Sequence, residues 1–400
     1  MNERDEATRA ETVGSLLRDE AVVRAARRGG PADAAVLDDA ARDAIRLQEE
    51  AGLDVITDGE VRRVSWAQTP RFLDAFAATS GRGALNWRGA SPGAGADAPA
   101  TAAAQAVPAA PAAPGAPDPG PGARPGGYPA VVRRIATAPR TGDMTDEYAF
   151  LARYARARTK YTMPAPSYHR RYWSAEHAAG VYDSAEEYLT EVRDFQRSVV
   201  DKLISLGCDY IQLDAPNYGS LCDPDTRAAM RAAGRDADAE LAFDAELDSS
   251  LFDGTSGVTT ALHVCRGNGP GGAWHSAGGY GVISAALFPK LAFSRLLLEY
   301  DSDRAGGFEP LADVRDGTVV VLGLLTTKSD QLESEDDVIA RITEATGYKP
   351  LDELALSTQC GFASVPVANP VTPAVQRAKL EMVGRLARRV WPVRPAAGEE

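Results

Sequence analysis

The sequence predicts an α/β protein, a (β/α)8 barrel of the TIM type with a disordered Ala/Pro/Gly-rich insertion. Apolar segments with strand character alternate with amphipathic helical segments along the 400 residues. Most strand segments end in a polar or ionisable residue, which is typical of a closed barrel with its active site at the carboxyl ends of the strands. A doubly wound open sheet would also alternate, but it usually carries a Gly-rich loop after its first strand, and Gly14-Ser15-Leu16 is not one.

The alternation follows from two hydrophobic periodicities, one of strands and one of helices. The strands are predicted at 11–15, 54–60, 161–167, 209–214, 259–265, 296–299, 319–327 and 354–360. The helices are predicted at 34–52, 184–206, 224–248, 280–294, 334–346 and 373–391. Ser184 opens the second of these helices in a capping box with Glu187, and Gly207 ends it.

Residues 89–127 contain little besides Ala, Pro and Gly. Such a segment cannot bury enough apolar surface to offset the entropy lost on ordering. We therefore predict a disordered insertion within a hairpin-like excursion that has Trp87 before it and Val131 after it. The insertion does not separate two folding units, so we expect residues 1–400 to form a single barrel domain.

Composition and charge limit the partners. A hydrophobic content of 44% is ample for a large core, whereas a net charge of -13 argues against a nucleic-acid groove or an anionic membrane surface as partner. No stretch approaches the roughly 20 apolar residues of a membrane span, and no signal peptide is recognisable, so we expect a cytoplasmic protein. The four cysteines are unclustered, which leaves their thiols for metal or catalysis. The oligomeric state stays open, a homo-oligomer included.

The predicted strand at 259–265 ends in a candidate metal site. Because residues i and i+2 of an extended segment point the same way, the imidazole of His263 and the thiol of Cys265 would face one site. Both side chains could instead simply pack at the end of a buried strand. Cys360 and Glu299, at the ends of two other strands, would meet them at the mouth of a barrel. The four residues together supply nitrogen, sulfur and oxygen donors that suit zinc.

The charge of this donor set selects a chemistry. Two thiolates, a carboxylate and a neutral imidazole around Zn²⁺ give a centre of net charge -1. A substrate thiol bound there would lose its proton and remain electron-rich, whereas zinc with neutral ligands favours water activation. The set therefore favours alkyl transfer to sulfur over hydrolysis.

Asp58, Glu60 and Asp214 form a second, acidic group at predicted strand ends. These carboxylates could be solvated charges beside neighbouring arginines, or they could hold a substrate ammonium in a desolvated pocket. Ser15, with the backbone amides of the turn after it, could then receive a carboxylate. Together these groups would recognise an amino acid.

Six short motifs, in order and at compatible spacing, resemble the C-terminal catalytic domain of cobalamin-independent methionine synthase, and most closely its shorter, single-domain relatives. The motifs are Val13-Gly14-Ser15, Asp58-Gly59-Glu60, Tyr210-Ile211-Gln212-Leu213-Asp214, His263-Val264-Cys265-Arg266-Gly267-Asn268, Leu298-Glu299-Tyr300-Asp301 and Gln359-Cys360-Gly361-Phe362. The resemblance extends from about residue 10 to 392, apart from the insertion.

The resemblance implies a zinc-bearing methyltransferase barrel that acts in methionine biosynthesis. By motif match, the zinc ligands are His263, Cys265, Glu299 and Cys360. Ser15, Glu60 and Asp214 match positions that hold the carboxylate and ammonium of the amino acid, and the two acids are the candidate catalytic residues.

Two departures from the family bear on the alkyl donor. A chain of 400 residues leaves no room for the additional N-terminal barrel that helps to form the family's folate site. The family also carries Asp-Ile-His after one strand, where the histidine assists proton delivery to the leaving folate. The matching stretch here, 323–327, reads Gly-Leu-Leu-Thr-Thr. A folate amine needs protonation to leave, so the donor stays open.

The sequence thus predicts zinc-dependent transfer of a methyl or other alkyl group to a thiol, through a zinc-bound thiolate. Homocysteine is the expected acceptor and methionine the product. The partners would be this small thiol and an alkyl donor, with methyl-folate and a corrinoid as candidates. The alternatives are an epoxide- or corrinoid-dependent alkyltransferase acting on another small thiol, and a non-catalytic zinc- or thiol-binding module.

Overall fold

The computed structural model describes residues 8–79, Arg88, 128–365 and 369–392. Its central element is a parallel sheet surrounded by helices, with a small antiparallel pair of strands beside it. In chain order the strands are β1 (Ala10–Glu11), β2 (Val55–Ile56), β3 (Phe76–Thr79), β4 (Tyr128–Val131), β5 (Arg158–Thr159), β6 (Tyr161–Pro164), β7 (Tyr210–Asp214), β8 (Thr259–Val264), β9 (Arg295–Glu299), β10 (Val319–Leu325) and β11 (Leu354–Thr358).

The parallel sheet closes into the predicted barrel. Its strands run in the order β5-β2-β1-β11-β10-β9-β8-β7-β6. Only Lys160 separates β5, which pairs with β2, from β6, which pairs with β7. The segment from 158 to 164 is therefore one staggered barrel strand that joins the two edges of the sheet, and the barrel has eight strand positions. The predicted fold class is confirmed.

Helices cover the outside of the barrel. They are α1 (Glu20–Arg28), α2 (Ala34–Glu50), α3 (Asp146–Tyr154), α4 (Ala185–Ser205), α5 (Pro216–Ser220), α6 (Pro224–Ala232), α7 (Ala237–Ser250), α8 (Ser284–Leu287), α9 (Glu335–Ala345) and α10 (Pro373–Val390). The predicted cap of α4 is confirmed, because the Ser184 hydroxyl accepts a hydrogen bond from the amide of Glu187 at 3.1 Å. None of the described helices is long and apolar enough to cross a membrane.

One predicted helix is wrong. In place of a helix over 280–294, the chain forms 3-10 turns at Tyr280–Val282 and Phe288–Lys290 on either side of the four-residue α8. Pro289 lacks the amide hydrogen that a helix needs, and Gly281 lowers helix propensity. The predicted helical region 224–248 also divides, into α6 and α7, at Gly234, whose φ is 72°.

The barrel interior explains how the strands position polar residues. Its apolar layer consists of Val13, Val55, Tyr210, Ala261, Leu297, Val319, Val321 and Ala355. Because side chains alternate along a strand, the residue two positions after a member of this layer faces the same interior, one step nearer the carboxyl ends. By this rule Ala261 is followed by His263, and Leu297 by Glu299. This alternation therefore places ionisable side chains at the carboxyl end of the barrel interior. We call this end the mouth.

The predicted excursion is present as a hairpin. The strands β3 and β4 pair antiparallel, with Phe76 opposite Val131 and Thr79 opposite Tyr128. Trp87 and the insertion at 89–127 lie outside the described residues, so the disordered insertion stays a prediction.

Candidate active site

Three of the four predicted zinc ligands come together at the mouth. A ring nitrogen of His263 and the Sγ atoms of Cys265 and Cys360 all lie within 4.8 Å of one another. His263 is the fifth residue of β8, Cys265 follows that strand on the same face, and Cys360 comes two residues after β11. All three are buried. The carboxyl ends of β8 and β11, which have β9 and β10 between them, thus bring one nitrogen and two sulfur donors close together.

His263 is oriented to coordinate through Nε2. Its Nδ1 lies 3.2 Å from the carbonyl oxygen of Leu297, and because a carbonyl only accepts, Nδ1 carries the hydrogen. The buried Nε2 then presents a lone pair, and it has no hydrogen-bond partner among the described residues. Histidine ligands of zinc are usually fixed in this way through their other nitrogen. The residues present therefore fit a zinc ion.

The two thiols of this group differ in acidity. The neighbouring Cys265 thiol is the main cause that lowers the pKa of Cys360 well below its usual range, and His263 and the charge of Lys328 add to this effect. The neighbouring Cys360 thiol in turn raises the pKa of Cys265. Cys360 is therefore the more acidic of the two thiols, and a metal that binds both sulfurs would displace the proton that Cys265 retains.

Glu299, the fourth predicted ligand, lies outside the group of three. Its Oε2 accepts from the backbone amide of Arg266 at 2.9 Å, and its Oε1 accepts from Arg304 at 2.8 Å. Burial would raise the pKa of Glu299, but the positive charges of Lys328, Arg266 and Arg304 outweigh burial and lower it to about 2. Glu299 is thus a buried, ionised carboxylate held at the end of the strand next to β8.

The predicted acidic residues are buried and not solvated. Burial is the main cause that raises the pKa of Asp214 to about 7, although Gln212 donates to its Oδ1 at 2.8 Å. Glu60 accepts from Thr162 at 2.6 Å, and its backbone amide donates to Asp58 at 2.9 Å. Glu60 also has a φ of 54°, in the left-handed region. Such a conformation is costly for a non-glycine residue and is found preferentially at functional sites.

Ser15 lies against the loop that carries Cys360. Its Oγ accepts from the amide of Ala363 at 3.3 Å, and its carbonyl accepts from Phe362 at 2.7 Å. A Cβ added at Gly361 would lie 2.1 Å from Ser15 Oγ, so this approach requires a glycine beside the cysteine.

One cavity connects these residues. It has a volume of about 1360 Å³ and opens at the mouth. Its walls include the predicted substrate-binding and metal-binding residues Ser15, Glu60, Asp214, His263, Cys265 and Cys360. Glu299 does not line it. The volume exceeds the roughly 300–1,000 Å³ that is typical of small-molecule sites, so the cavity has room for a second ligand beside an amino acid.

The cavity has further walls that the sequence did not reveal. The rings of Trp66 and Tyr168 lie 4.5 Å apart on one side. His275 also lines the cavity, and burial lowers its pKa to about 4. No motif marks these residues, because they come from loops that only the fold brings to the mouth.

Lys328 is another residue that the motifs did not indicate. It follows the 323–327 stretch, and its Nζ donates to Oδ1 of Asn268 at 3.4 Å. Its charge acts on both Glu299 and Cys360. The mouth therefore contains a cation directly after the position where the family's histidine is missing.

Comparisons with known proteins agree with this architecture. No family model matches the chain. The uncharacterized proteins YxjH and YxjG of Bacillus subtilis (strain 168) are each 32% identical to it, over 397 and 407 residues, and each alignment covers 96% of this chain and 94% of the relative.

Two solved structures share the fold. A Listeria monocytogenes protein assigned as a vitamin-B12-independent methionine synthase has a TM-score of 0.66 at 23% identity, over 96% of this chain and 98% of that one. A B12-independent methionine synthase from Shewanella sp. W3-18-1 in complex with selenomethionine has a TM-score of 0.61 at 19% identity, over 95% and 96%. The resemblance to cobalamin-independent methionine synthases is confirmed for the fold, and the identity to YxjH and YxjG shows that the chain belongs to their family.

Proposed function

We propose that this protein is a zinc-dependent enzyme that transfers a methyl or other alkyl group to a small thiol, with homocysteine as acceptor and methionine as product. The observation that supports this proposal is the group formed by His263, Cys265 and Cys360 on the wall of a cavity that also contains buried carboxylates. The fold shared with methionine synthases, one of them in complex with selenomethionine, agrees with it.

His263, Cys265 and Cys360 would hold the zinc. When bound there, zinc would lower the pKa of a substrate thiol and keep its sulfur nucleophilic. We propose Glu299 as the fourth protein donor. Its oxygens accept from Arg304 and from the amide of Arg266, and each keeps a further lone pair that could bind a metal. Without Glu299, the fourth position would be open to the substrate.

The acidic wall would bind the amino acid. Asp214 and Glu60 line the cavity with His263 and are buried. Glu60 is already paired with Arg63 at 3.4 Å, so Asp214 is the carboxylate that would gain more from an ammonium partner. Ser15 would receive the substrate carboxylate. Fixing both ends of the amino acid directs its side-chain sulfur to the metal ligands, and this positioning reduces the entropic part of the barrier.

The transfer itself is a displacement at carbon. The sulfur forms a bond to the alkyl carbon while the bond from that carbon to its carrier breaks, and the carrier keeps the electron pair. The cavity has room for a carrier beside the thiol. Methyl-folate and a corrinoid remain the candidates, and we place the reaction in the cytoplasm.

The direct test replaces Cys360 with serine. We expect C360S to lose most of its zinc and at least about 100-fold in activity, because a thiolate ligand is removed. C208S is the matched control: Cys208 is also buried, and its thiol donates to the carbonyl of Tyr210 at 3.3 Å, which a hydroxyl can replace. Metal content is measured by mass spectrometry, and methionine formation from homocysteine is measured with methyl-folate and with methyl-corrinoid as donor. A zinc-free wild type with full activity would contradict the proposal.

The same assay separates the alternatives. Alkylation of another small thiol, with an epoxide or methyl-corrinoid as donor and no methionine from homocysteine, would indicate the second enzymatic class. Thermal stabilisation by thiols without product from any donor would indicate a binding module.

A further inference from the structure

Gln212 connects Asp214 to the interior of the barrel. It lies in β7 two residues before Asp214, on the same face, and is fully buried. Its Nε2 donates to Oδ1 of Asp214 at 2.8 Å and to the carbonyl of Val13 at 3.0 Å. Its Oε1 accepts from Nζ of Lys160 at 2.7 Å. All the polar atoms of this side chain are thus engaged.

Lys160 is itself held in place by residues in the barrel interior, on the side away from the mouth. Its Nζ also donates to Oε2 of Glu11 at 2.6 Å, and Glu11 accepts from Arg295 at 3.0 Å and from the hydroxyl of Tyr210. We call Glu11, Lys160, Tyr210 and Arg295 the floor cluster. Its members are fully or almost fully buried, and its three charged residues leave one net positive charge inside the barrel.

The floor cluster fixes which way the Gln212 amide points. An ammonium group only donates hydrogen bonds, so Lys160 can bind only the Oε1 side of the amide. The reversed amide would place Nε2 against the ammonium and Oε1 against the carboxylate of Asp214, leaving buried polar groups unpaired or repelled. Lys160 therefore makes Gln212 a donor towards Asp214.

We propose that Gln212, oriented by Lys160, is a positioning residue that holds Asp214 as the acceptor of the substrate ammonium. The inference rests on the proposed function. The amide of Gln212 stabilises the charged form of Asp214 and fixes its plane, so that the carboxylate is ready to pair with a cation in the cavity. The residues that position Asp214 thus extend from the mouth to the floor cluster, which does not itself touch the amino acid.

The test compares two thiols on the zinc-loaded protein by calorimetry. Homocysteine has the ammonium, whereas 4-mercaptobutanoate keeps the thiol and carboxylate and lacks it. In Q212E the new carboxylate can still accept a hydrogen bond from Lys160. Towards Asp214, however, it presents an oxygen that only accepts, in place of the amide donor. We expect homocysteine affinity to fall about 10- to 100-fold, as for a lost hydrogen bond to a charged group, and 4-mercaptobutanoate affinity to change less than about threefold.

Two further variants make the result interpretable. Q212M removes the hydrogen bonds without adding charge, and it should show the same selective loss if Q212E does not fold. Q48E places a glutamate at another buried glutamine, which bonds to Ala44 and Thr57 and does not touch Asp214, and it should leave the preference for homocysteine unchanged.

The outcomes distinguish the two proposals. A wild type that binds neither thiol overturns the proposed function, and this inference with it. A wild type that prefers homocysteine, together with Gln212 variants that keep the same preference, overturns the positioning role alone. Equal loss of affinity for both thiols in Q212E and Q212M also overturns it, because a general structural defect would act on both.

Discussion

The floor cluster and the mouth of the barrel both bury ionisable side chains, but they satisfy them differently. In the floor cluster, Glu11 accepts hydrogen bonds from Lys160, Arg295 and Tyr210. At the mouth, Nε2 of His263 and Oδ2 of Asp58 are buried and have no hydrogen-bond partner in the described part of the chain. Unpaired buried polar groups are costly, so a bound metal or substrate that pairs with these two atoms would gain strongly. The comparison predicts that floor substitutions change stability and mouth substitutions change ligand binding.

The largest effect should follow from E11A. Removing this carboxylate leaves Lys160 and Arg295 as buried charges without their counter-ion. Breaking a buried ion pair in this way usually costs about 3–5 kcal/mol. Urea unfolding of the zinc-free protein measures the loss, with D201A on the exposed face of α4 as the control for removal of a negative charge. A loss below about 1 kcal/mol would show that the floor cluster does not support the fold.

A substitution at the mouth should instead lower zinc affinity and leave stability almost unchanged. In H263N the amide nitrogen can still donate to the carbonyl of Leu297, as Nδ1 does now, but Nε2 is lost. We expect zinc affinity to fall by about 100-fold or more, since even partners one step removed from a metal contribute 10- to 100-fold. The free energy of unfolding without zinc should change by only about 1 kcal/mol. Chelator competition and urea unfolding measure the two quantities. Unchanged zinc affinity would remove His263 from the metal site.

The contrast between mouth and floor also shows what the sequence could predict. Residues of the mouth follow apolar runs directly, so His263, Cys265, Glu299 and Cys360 could be identified from strand ends and from the family motifs. The group of three confirms that three of these positions meet. The bonds of Glu299 to Arg304 and to the Arg266 amide could not be predicted, because they depend on how the loops after β8 and β9 fold.

The three charged residues of the floor cluster gave no sequence signal. Lys160 stands between Thr159 and Tyr161, where a lysine would ordinarily indicate a solvent-exposed position. It is buried because it donates a hydrogen bond to Glu11, which lies 149 residues away in the sequence. Glu11 also accepts from Arg295, which lies 284 residues from Glu11 in the sequence. Such pairings follow from barrel closure, which local periodicity does not describe.

The smallest effect concerns Asp214, which lies between the two regions, and it depends on pH. Burial is the main cause that raises its pKa from 3.8 to about 7, so between these values the folded protein binds a proton that the unfolded chain releases. The free energy of unfolding of the zinc-free protein therefore falls as the pH rises through that window. The full loss applies above the pKa that Asp214 has in the folded protein.

D214N should remove this loss. We expect it to be more stable than the wild type at pH 8 by about 2 kcal/mol, after allowing for relaxation of the buried site, and to show little difference near pH 4. Thermal unfolding of both proteins across that range measures the difference, and D201N controls for the loss of a surface carboxylate. A constant difference at all pH values would mean that Gln212 and the floor cluster already keep Asp214 ionised without substrate, which would place Asp214 with the floor and not with the mouth.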